Sequence, residues 1–506
     1  MILDENIDYA QCKSLFGLHF IHNKYICLNF LYNPFIDMSV LIAMKRRVKN
    51  IFDRIKNEKL KLNLLQAVPF WIASILTGLV AVLYARLFFL AERGTAYMFD
   101  HFAWSFFFIT PICFLIGWWL VKRFAPYSRG SGIPQVMASI ELATPKNNDK
   151  INRLLSIRII FVKIISSLFI VFGGGVVGRE GPTIQIAGSI FRKINQWLPE
   201  WWPKISKKNM IMTGAAAGLA AAFNTPLGGI VFAVEELTKT HINYFKTAIF
   251  SAVIISGLTA QAFLGPYLYL GYPAVNNLSP YIFLGVASVA IVTGLAGGAT
   301  GKLILMLLKW KSAFKKNRKH IFYLIISGLV IASLAFYVNR IVLGSGKELM
   351  ANVLFSTSKY LPWYAPLLRV AGSVLSFTSG AAGGVFAPSL SAGASIGSVV
   401  SGFMHLSATN TNLLILAGMV GFLTGVTRTP FTSAIIVLEM TDRHNLIFYL
   451  MLAGMISSIV AVIVDKHSFY DHLKYQYMHD VLKEGEKSDP VVETTAVASV
   501  PDPQEK

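Results

Sequence analysis

Six long apolar runs set the terms for this chain: 67–90, 154–176, 246–264, 281–301, 321–338 and 446–464. Each comes near the roughly 20 residues that a helix needs to cross the hydrocarbon of a bilayer. Charge is scarce in the same sense. Asp, Glu, Lys and Arg make up 14% of the 506 residues, against about 25% in a soluble globular chain. So little charge cannot dress a water-facing surface of this size. The expected fold class is an all-α polytopic membrane protein, with one intramembrane domain over 66–475. Residues 1–65 read as a cytoplasmic lead-in, and 476–506, polar and Pro-containing, as a disordered cytoplasmic tail. Residues 1–43 fit no class, and a start at Met44 would open directly on a basic block.

The net charge of +20 does not point to nucleic acid. The cations come in short blocks between apolar runs, as in Lys45-Arg46-Arg47, Lys122-Arg123 and Lys315-Lys316-Asn317-Arg318-Lys319. That is the habit of cytoplasmic loops. A basic stretch ahead of the first span places the N-terminus in the cytoplasm. A mixed-charge loop at 91–102 and a basic one at Lys122, Arg123 and Arg129 fit a pair of spans going out and back. Three cysteines are too few for a disulfide framework or a metal cluster. The ten histidines lie near span ends or in loops, with no His-x-x-Glu-His pattern. The reading is therefore a transporter with no cofactor and no metal, not an enzyme.

The chain contains itself twice. GAAAGLAAAFNTPLGGIVFAVEE (214–236) aligns without a gap over GMVGFLTGVTRTPFTSAIIVLEM (418–440). Gly214 meets Gly418, Thr225-Pro226 meets Thr429-Pro430, and Glu235 meets Glu439. Upstream, GREGPTIQIAGSI (178–190) lies over GVFAPSLSAGASI (384–396) at nearly the same spacing. This is an internal duplication with halves of about 66–265 and 280–465. The sequence leaves open whether the halves are parallel or inverted. Several segments are too short to cross or are broken by Gly and Pro: 131–140, 181–191, 211–235, 386–403 and 412–440. Irregular backbone at membrane depth survives only where protein buries it or where it lines a watery cavity. Broken helices in matching halves point to a transport site.

The breaks carry a chemistry. In Gly130-Ser131-Gly132-Ile133-Pro134 the glycines allow close backbone approach and the Pro suits a helix start. A helix begun there offers unpaired amides and the Ser131 hydroxyl to an anion, although a plain interhelical turn would use the same residues. Gly178-Arg179-Glu180-Gly181-Pro182 and Gly384-Val385-Phe386-Ala387-Pro388 repeat the design. Three such ends meeting at mid-membrane would hold a small halide without a full cationic partner. Few acids lie in the apolar segments: Glu180, Glu235, Glu236 and Glu439. Glu180, ionised, can take the anion's own place and, protonated, can swing away; otherwise it only steadies a helix start. Glu235 and Glu439 match across the repeat, which suits a structural role. Glu236 faces Met440 and is the better candidate for a function of one half, with an acid at a water-facing helix end as its plainer reading. Lys163 either raises the local potential for anions or snorkels to the interface. Arg428 reads as an interfacial or capping residue, and Tyr470 as an interfacial aromatic.

At these residues the chain resembles the CLC chloride channels and transporters, from about residue 66 to 475. The three motifs GSGIP (130–134), GREGP (178–182) and GGVFAP (383–388) stand in order and well separated. The resemblance implies the CLC fold: two inverted structural repeats with broken and re-entrant helices, in a homodimer with one ion pathway per subunit. It implies chloride as the transported ligand, bound through Ser131, Gly132 and Tyr470 at an inner station and through the Val385 and Phe386 amides. Arg179, Glu180 and Gly181 would frame the outer site, with Glu180 as the gating and external proton glutamate. FAVEEL (232–237) resembles the segment whose second acid, here Glu236, is the internal proton glutamate, which favours a chloride/proton antiporter over a passive chloride channel. Gln135 stands where family members often have Glu, and Ala382 where a close bacterial relative would have Pro. The missing nucleotide-binding domains favour a bacterial inner-membrane protein with both termini cytoplasmic, partnered by chloride, protons and lipid. Outside the family, an intramembrane hydrolase using Ser131 lacks a general base, and a cation-coupled symporter would show sodium dependence.

Overall fold

A computed structural model describes residues 49–50, 52–237, 246–265, 268–276 and 278–488. The unassigned segment 1–43, the start at Met44 and the Lys45-Arg46-Arg47 block lie outside the described residues, as do 489–506. Of the described residues, those up to 65 together with 199–201 group into one unit, and the others into a second.

Among the described residues the principal helices are α1 (Glu58–Phe102), α2 (Phe106–Phe124), α3 (Ile133–Glu141), α4 (Ile157–Phe172), α5 (Glu180–Trp197), α6 (Lys207–Phe223), α7 (Pro226–Phe232) and α8 (Lys246–Leu264). There follow α9 (Ile282–Ser312), α10 (Asn317–Ser333), α11 (Lys347–Phe355), α12 (Ala365–Thr378), α13 (Phe386–Phe403), α14 (Ala408–Thr427), α15 (Pro430–Thr441), α16 (Ile447–Val464) and α17 (Phe469–Ser488). Helix α7 continues as a π-helical turn over Ala233–Leu237. Seven stretches among the described residues are long and apolar enough to span a bilayer.

Two expected boundaries move. The mixed-charge loop at 91–102 is instead the last part of α1, because nothing there caps the helix or removes an amide donor until Phe102. Residues 476–488, expected to belong to the tail, are instead helical, since α17 runs on to Ser488. Arg129 pairs with Asp480 at 2.8 Å and Arg153 with Glu484 at 3.0 Å, which ties that helix to the loops before α3 and α4.

The repeat is visible in the order and lengths of the helices. The second half restates α3 to α8 as α11 to α16, opening with a 9-residue helix in each. Helices α6 and α14 end alike, on Asn224 and Arg428 in the left-handed region (φ 57° and 65°), each followed by Thr-Pro. The left-handed residue stops the helix and the proline starts the next one. Arg428 meets the cost of that backbone by donating to the carbonyl oxygens of Ala461 and Asp465, so it caps the end of α16.

The relation between the halves follows from two reciprocal contacts. Glu235, at the far end of the α7 segment, accepts from the Phe431 and Thr432 amides at 3.2 and 2.7 Å and from the Thr432 hydroxyl at 2.6 Å, at the start of α15. Glu439, at the far end of α15, accepts from the Leu227 and Gly228 amides at 3.0 and 2.7 Å, at the start of α7. Each helix end caps the other helix's beginning, so the two equivalent helices run antiparallel. The axis relating the halves therefore lies across the helices, in the plane of a bilayer, and the repeats are inverted. At the centre lies α14, whose most apolar 18-residue window is 94% buried, whereas that of α16 is 28% buried and faces outward.

Candidate functional site

The three broken-helix motifs come together. Gly178 N–H donates to Gly384 O and Gly384 N–H to Gly178 O, both at 2.8 Å. These are equivalent residues of the two repeats, paired across the axis in an antiparallel bridge. Beside them Gly130 N–H donates to Ala381 O at 2.8 Å and Gly383 N–H to Gly130 O at 3.1 Å. The starts of α3, α5 and α13 are thereby fixed to one another by main-chain bonds alone. The first amides of each helix have no intrahelical partner and carry its positive end.

Glycine is required where they touch. Gly132 has φ 106°, and a Cβ there would stand 2.9 Å from Gly181 O. A Cβ on Gly181 would strike Ser131 Oγ, and one on Gly384 would lie 3.2 Å from Gly181 N. Ser131, Gly181 and the start of α13 thus share one small volume.

Tyr470 enters that volume from α17. It is fully buried, not interfacial, with its hydroxyl 3.5 Å from Ser131 Oγ. Its ring stacks on Phe386 with centroids 6.3 Å apart, and Phe386 lies against Phe223. Two hydroxyls therefore face each other inside an aromatic wall. Lys163 is also fully buried, so it does not snorkel; its Nζ donates to Ser128 O at 3.0 Å and Gly130 O at 2.8 Å. It clamps the loop that presents Ser131. Arg179 is buried with Nη2 donating to Ala222 O at 3.1 Å.

The Glu180 carboxyl turns back over its own helix start. A Cβ on Gly178 would strike its Oε2, and that same point is 3.3 Å from the Ala387 amide. The carboxyl thus stands between the facing ends of α5 and α13. Its Oε1 accepts from the Tyr269 hydroxyl at 3.3 Å. Sequence reasoning missed Tyr269, which sits in the connection between α8 and α9 with no motif around it. Glu236 lies in the π-helical turn after α7, half-buried. Both Glu180 and Glu236 act electrostatically on the Tyr470 hydroxyl. Glu235, by contrast, is committed to α15.

Residues 112–462 of the chain match a family model described as voltage gated chloride channel. The chain belongs to that family. Among curated relatives it is 31% identical over 390 residues to the H(+)/Cl(-) exchange transporter ClcA of Vibrio parahaemolyticus, covering 74% of this chain and 79% of that protein. The ClcA of Klebsiella pneumoniae is 29% identical over 374 residues, 70% of this chain and 75% of the relative. Among solved structures, a slow cyanobacterial Cl-/H+ antiporter superposes with a TM-score of 0.71 at 21% identity, covering 82% of this chain and 98% of that one. A CLC-type fluoride/proton antiporter superposes at 0.68 with the same coverage, at 20% identity.

The two departures from the family pattern have local uses here. Gln135 donates through Nε2 to Arg129 O at 2.7 Å and Tyr127 O at 3.2 Å, bracing the Ser131 loop as an ionised acid could not. Ala382 N–H donates to Ser166 Oγ at 3.1 Å, a bond a proline would forfeit.

Proposed function

We propose that this chain is a chloride/proton antiporter of the inner membrane, working as a homodimer with both termini in the cytoplasm. Its curated relatives are named as H(+)/Cl(-) exchange transporters. One observation carries the reading: the Glu180 carboxyl stands between the paired helix ends at Gly178 and Gly384.

Chloride would be held at an inner station by the Ser131 and Tyr470 hydroxyls, with the amides of Gly132, Val385 and Phe386 close by. Oriented amides at fixed positions replace hydration without reorganising. None of these donors carries a full charge, so the ion also leaves. The next position outward, between Arg179, Gly181 and Ala387, is the place of the Glu180 carboxylate. An arriving chloride and the ionised carboxylate compete for it, and protonation lets the side chain leave. The proton would reach Glu180 by way of Glu236. The passive-channel reading has no use for a second acid there.

The test is purified protein in liposomes with chloride and pH electrodes recording together. A chloride gradient should drive protons uphill in the parent. Glu180→Ala should abolish proton movement and keep chloride flux, and so should Glu236→Ala. Uphill proton pumping by either variant overturns the assignment, and a parent that conducts chloride without moving protons selects the channel.

A further inference from the structure

The loop that presents Ser131 has a counterpart in the second half. Gly130-Ser131-Gly132 leads into α3; Gly344-Ser345-Gly346 leads into α11. The glycines adopt matching left-handed conformations, φ 64° and 106° in the first loop and 67° and 92° in the second. Each loop is clamped from behind by a buried cation. Lys163 of α4 holds the first, and Arg369 of α12 holds the second, donating from Nη1 to the carbonyls of Ile341, Leu343 and Gly344, each at 3.1 Å. Lys163 and Arg369 are separated by the same interval as Gly178 and Gly384, so they are repeat equivalents.

The second loop differs in having a cation, Lys347, at the helix start itself. Arg369 is fully buried, and its Nη2 has no hydrogen-bond partner. That nitrogen points at the first turn of α11, where a Cβ on Gly346 would come 2.5 Å from it. Lys347 stands where the first loop has Ile133. A carboxylate already rests on the turn: Glu92 Oε1, from α1, accepts from the Ser345 amide at 3.1 Å and from the Ser345 hydroxyl at 2.5 Å. Glu92 acts electrostatically on both Arg369 and Lys347.

We propose that the Ser345–Lys347 turn, backed by Arg369, is a second anion station for chloride or another small monovalent anion, and that Glu92 is its tethered occupant. The station adjoins the gate. Lys347 Nζ lies 4.5 Å over the Tyr269 ring, and the Tyr269 hydroxyl reaches Glu180. It also lies at the opposite face of the subunit from α17. Phe70 of α1 packs on Phe191 of α5, next to Arg192, which donates to Asn152 Oδ1 beside the Arg153 that pairs with Glu484 of α17, and Glu92 is roughly 33 Å further along α1 at 1.5 Å per residue. An anion entering from that face meets two cations and a helix start held by Glu92 before it meets Glu180. Displacement of Glu92 admits it; return of Glu92 expels it toward the gate. This inference rests on the reading of Glu180 as the gate only for its purpose, not for the binding itself.

The experiment is bromide anomalous diffraction from crystals of the full chain, parent and Glu92→Ala, soaked in the same bromide. In the variant the turn loses its occupant, and a bromide peak is expected within hydrogen-bond reach of Ser345 N and Oγ, absent or weaker in the parent. In vesicles, half-saturating chloride at that face should fall by about tenfold, the scale of removing one competing charge-assisted contact. Should Glu92→Ala fail to assemble, Glu92→Gln keeps the shape and removes the charge. Bromide at Ser131 and Tyr470 with none at Ser345 overturns this inference and leaves the proposed function standing. Bromide at Ser345 with none at Ser131 supports it while sinking the central station.

Discussion

Removing the carboxylate of Glu235 leaves the start of α15 with two amides and one hydroxyl that have no acceptor. Glu439→Ala does the same to two amides at the start of α7. A hydrogen bond to a charged group is worth about 1.5–3 kcal/mol net, and loss of a helix cap typically about 1 kcal/mol. Amides at these helix starts have little water to turn to, so each variant is expected to lose about 2–4 kcal/mol, Glu235→Ala the more. The two sites lie roughly 11–12 Å apart along α15 at 1.5 Å per residue. Changes that far apart usually add, so the double variant should lose about twice as much. The assay is a reversible denaturant titration in detergent, read with the proton-to-chloride ratio in liposomes. Stability should fall while the ratio stays at the parent value. An unchanged midpoint, or a lost ratio, would refute the division of labour between Glu235 and Glu236.

Gly181→Ala places a methyl against Ser131 Oγ; chloride flux is expected to drop by at least about tenfold with the protein still folded, since a shift of 1.4 kcal/mol suffices, and undiminished flux would mean the station lies elsewhere. Tyr269→Phe removes the hydroxyl donated to Glu180, which frees the carboxyl to leave. Chloride turnover should rise by about tenfold, the lower end of what one bond to a charged group is worth, and a parent-like turnover would deny Tyr269 a part in gating. Asp465, between α16 and α17, governs how the Tyr470 helix is attached. Burial raises its carboxyl, but bonds from the His467 amide and His472 outweigh that and hold it below its ordinary 3.8. A depressed carboxylate contributes stability above its unfolded value that is lost as pH falls through the folded one. The parent should therefore be flat in stability above about pH 4 on this account and weaken below it, while Asp465→Asn should sit lower and lose that acid step. An identical acid step in the variant would place its origin elsewhere.

Much of this was legible in residue order. The Gly-Pro breaks at 130–134, 178–182 and 384–388 mark helix starts whatever the surroundings, because backbone freedom and a missing amide act locally. The gapless match of 214–236 with 418–440 made Glu235 and Glu439 a pair, and the structure turns that pair into mutual caps. Less legible was anything decided by packing. By residue type alone Lys163 could equally snorkel or raise the local potential, and Tyr470 suited an interface, although the resemblance set it at the inner station; both are buried, one because two carbonyls receive its charge, the other because an aromatic wall receives its ring. The 91–102 segment looked like a loop because its charges are mixed, yet a helix can carry mixed charge past the end of a span. Tyr269 stands in an irregular connection where no period or motif marks a residue. The GSG at 344–346 did echo the GSG at 130–132, but it fell outside both aligned blocks.

The central claim is that the ionised carboxyl of Glu180 and a chloride ion compete for one place between the paired helix ends. Bromide anomalous diffraction at neutral pH tests it, comparing the parent with Glu180→Ala. The parent should show an ion at Ser131 and Tyr470, and the variant should gain a second between Gly181 and Ala387. The same single site in both crystals, with the space beside Gly181 still empty in the variant, would contradict it.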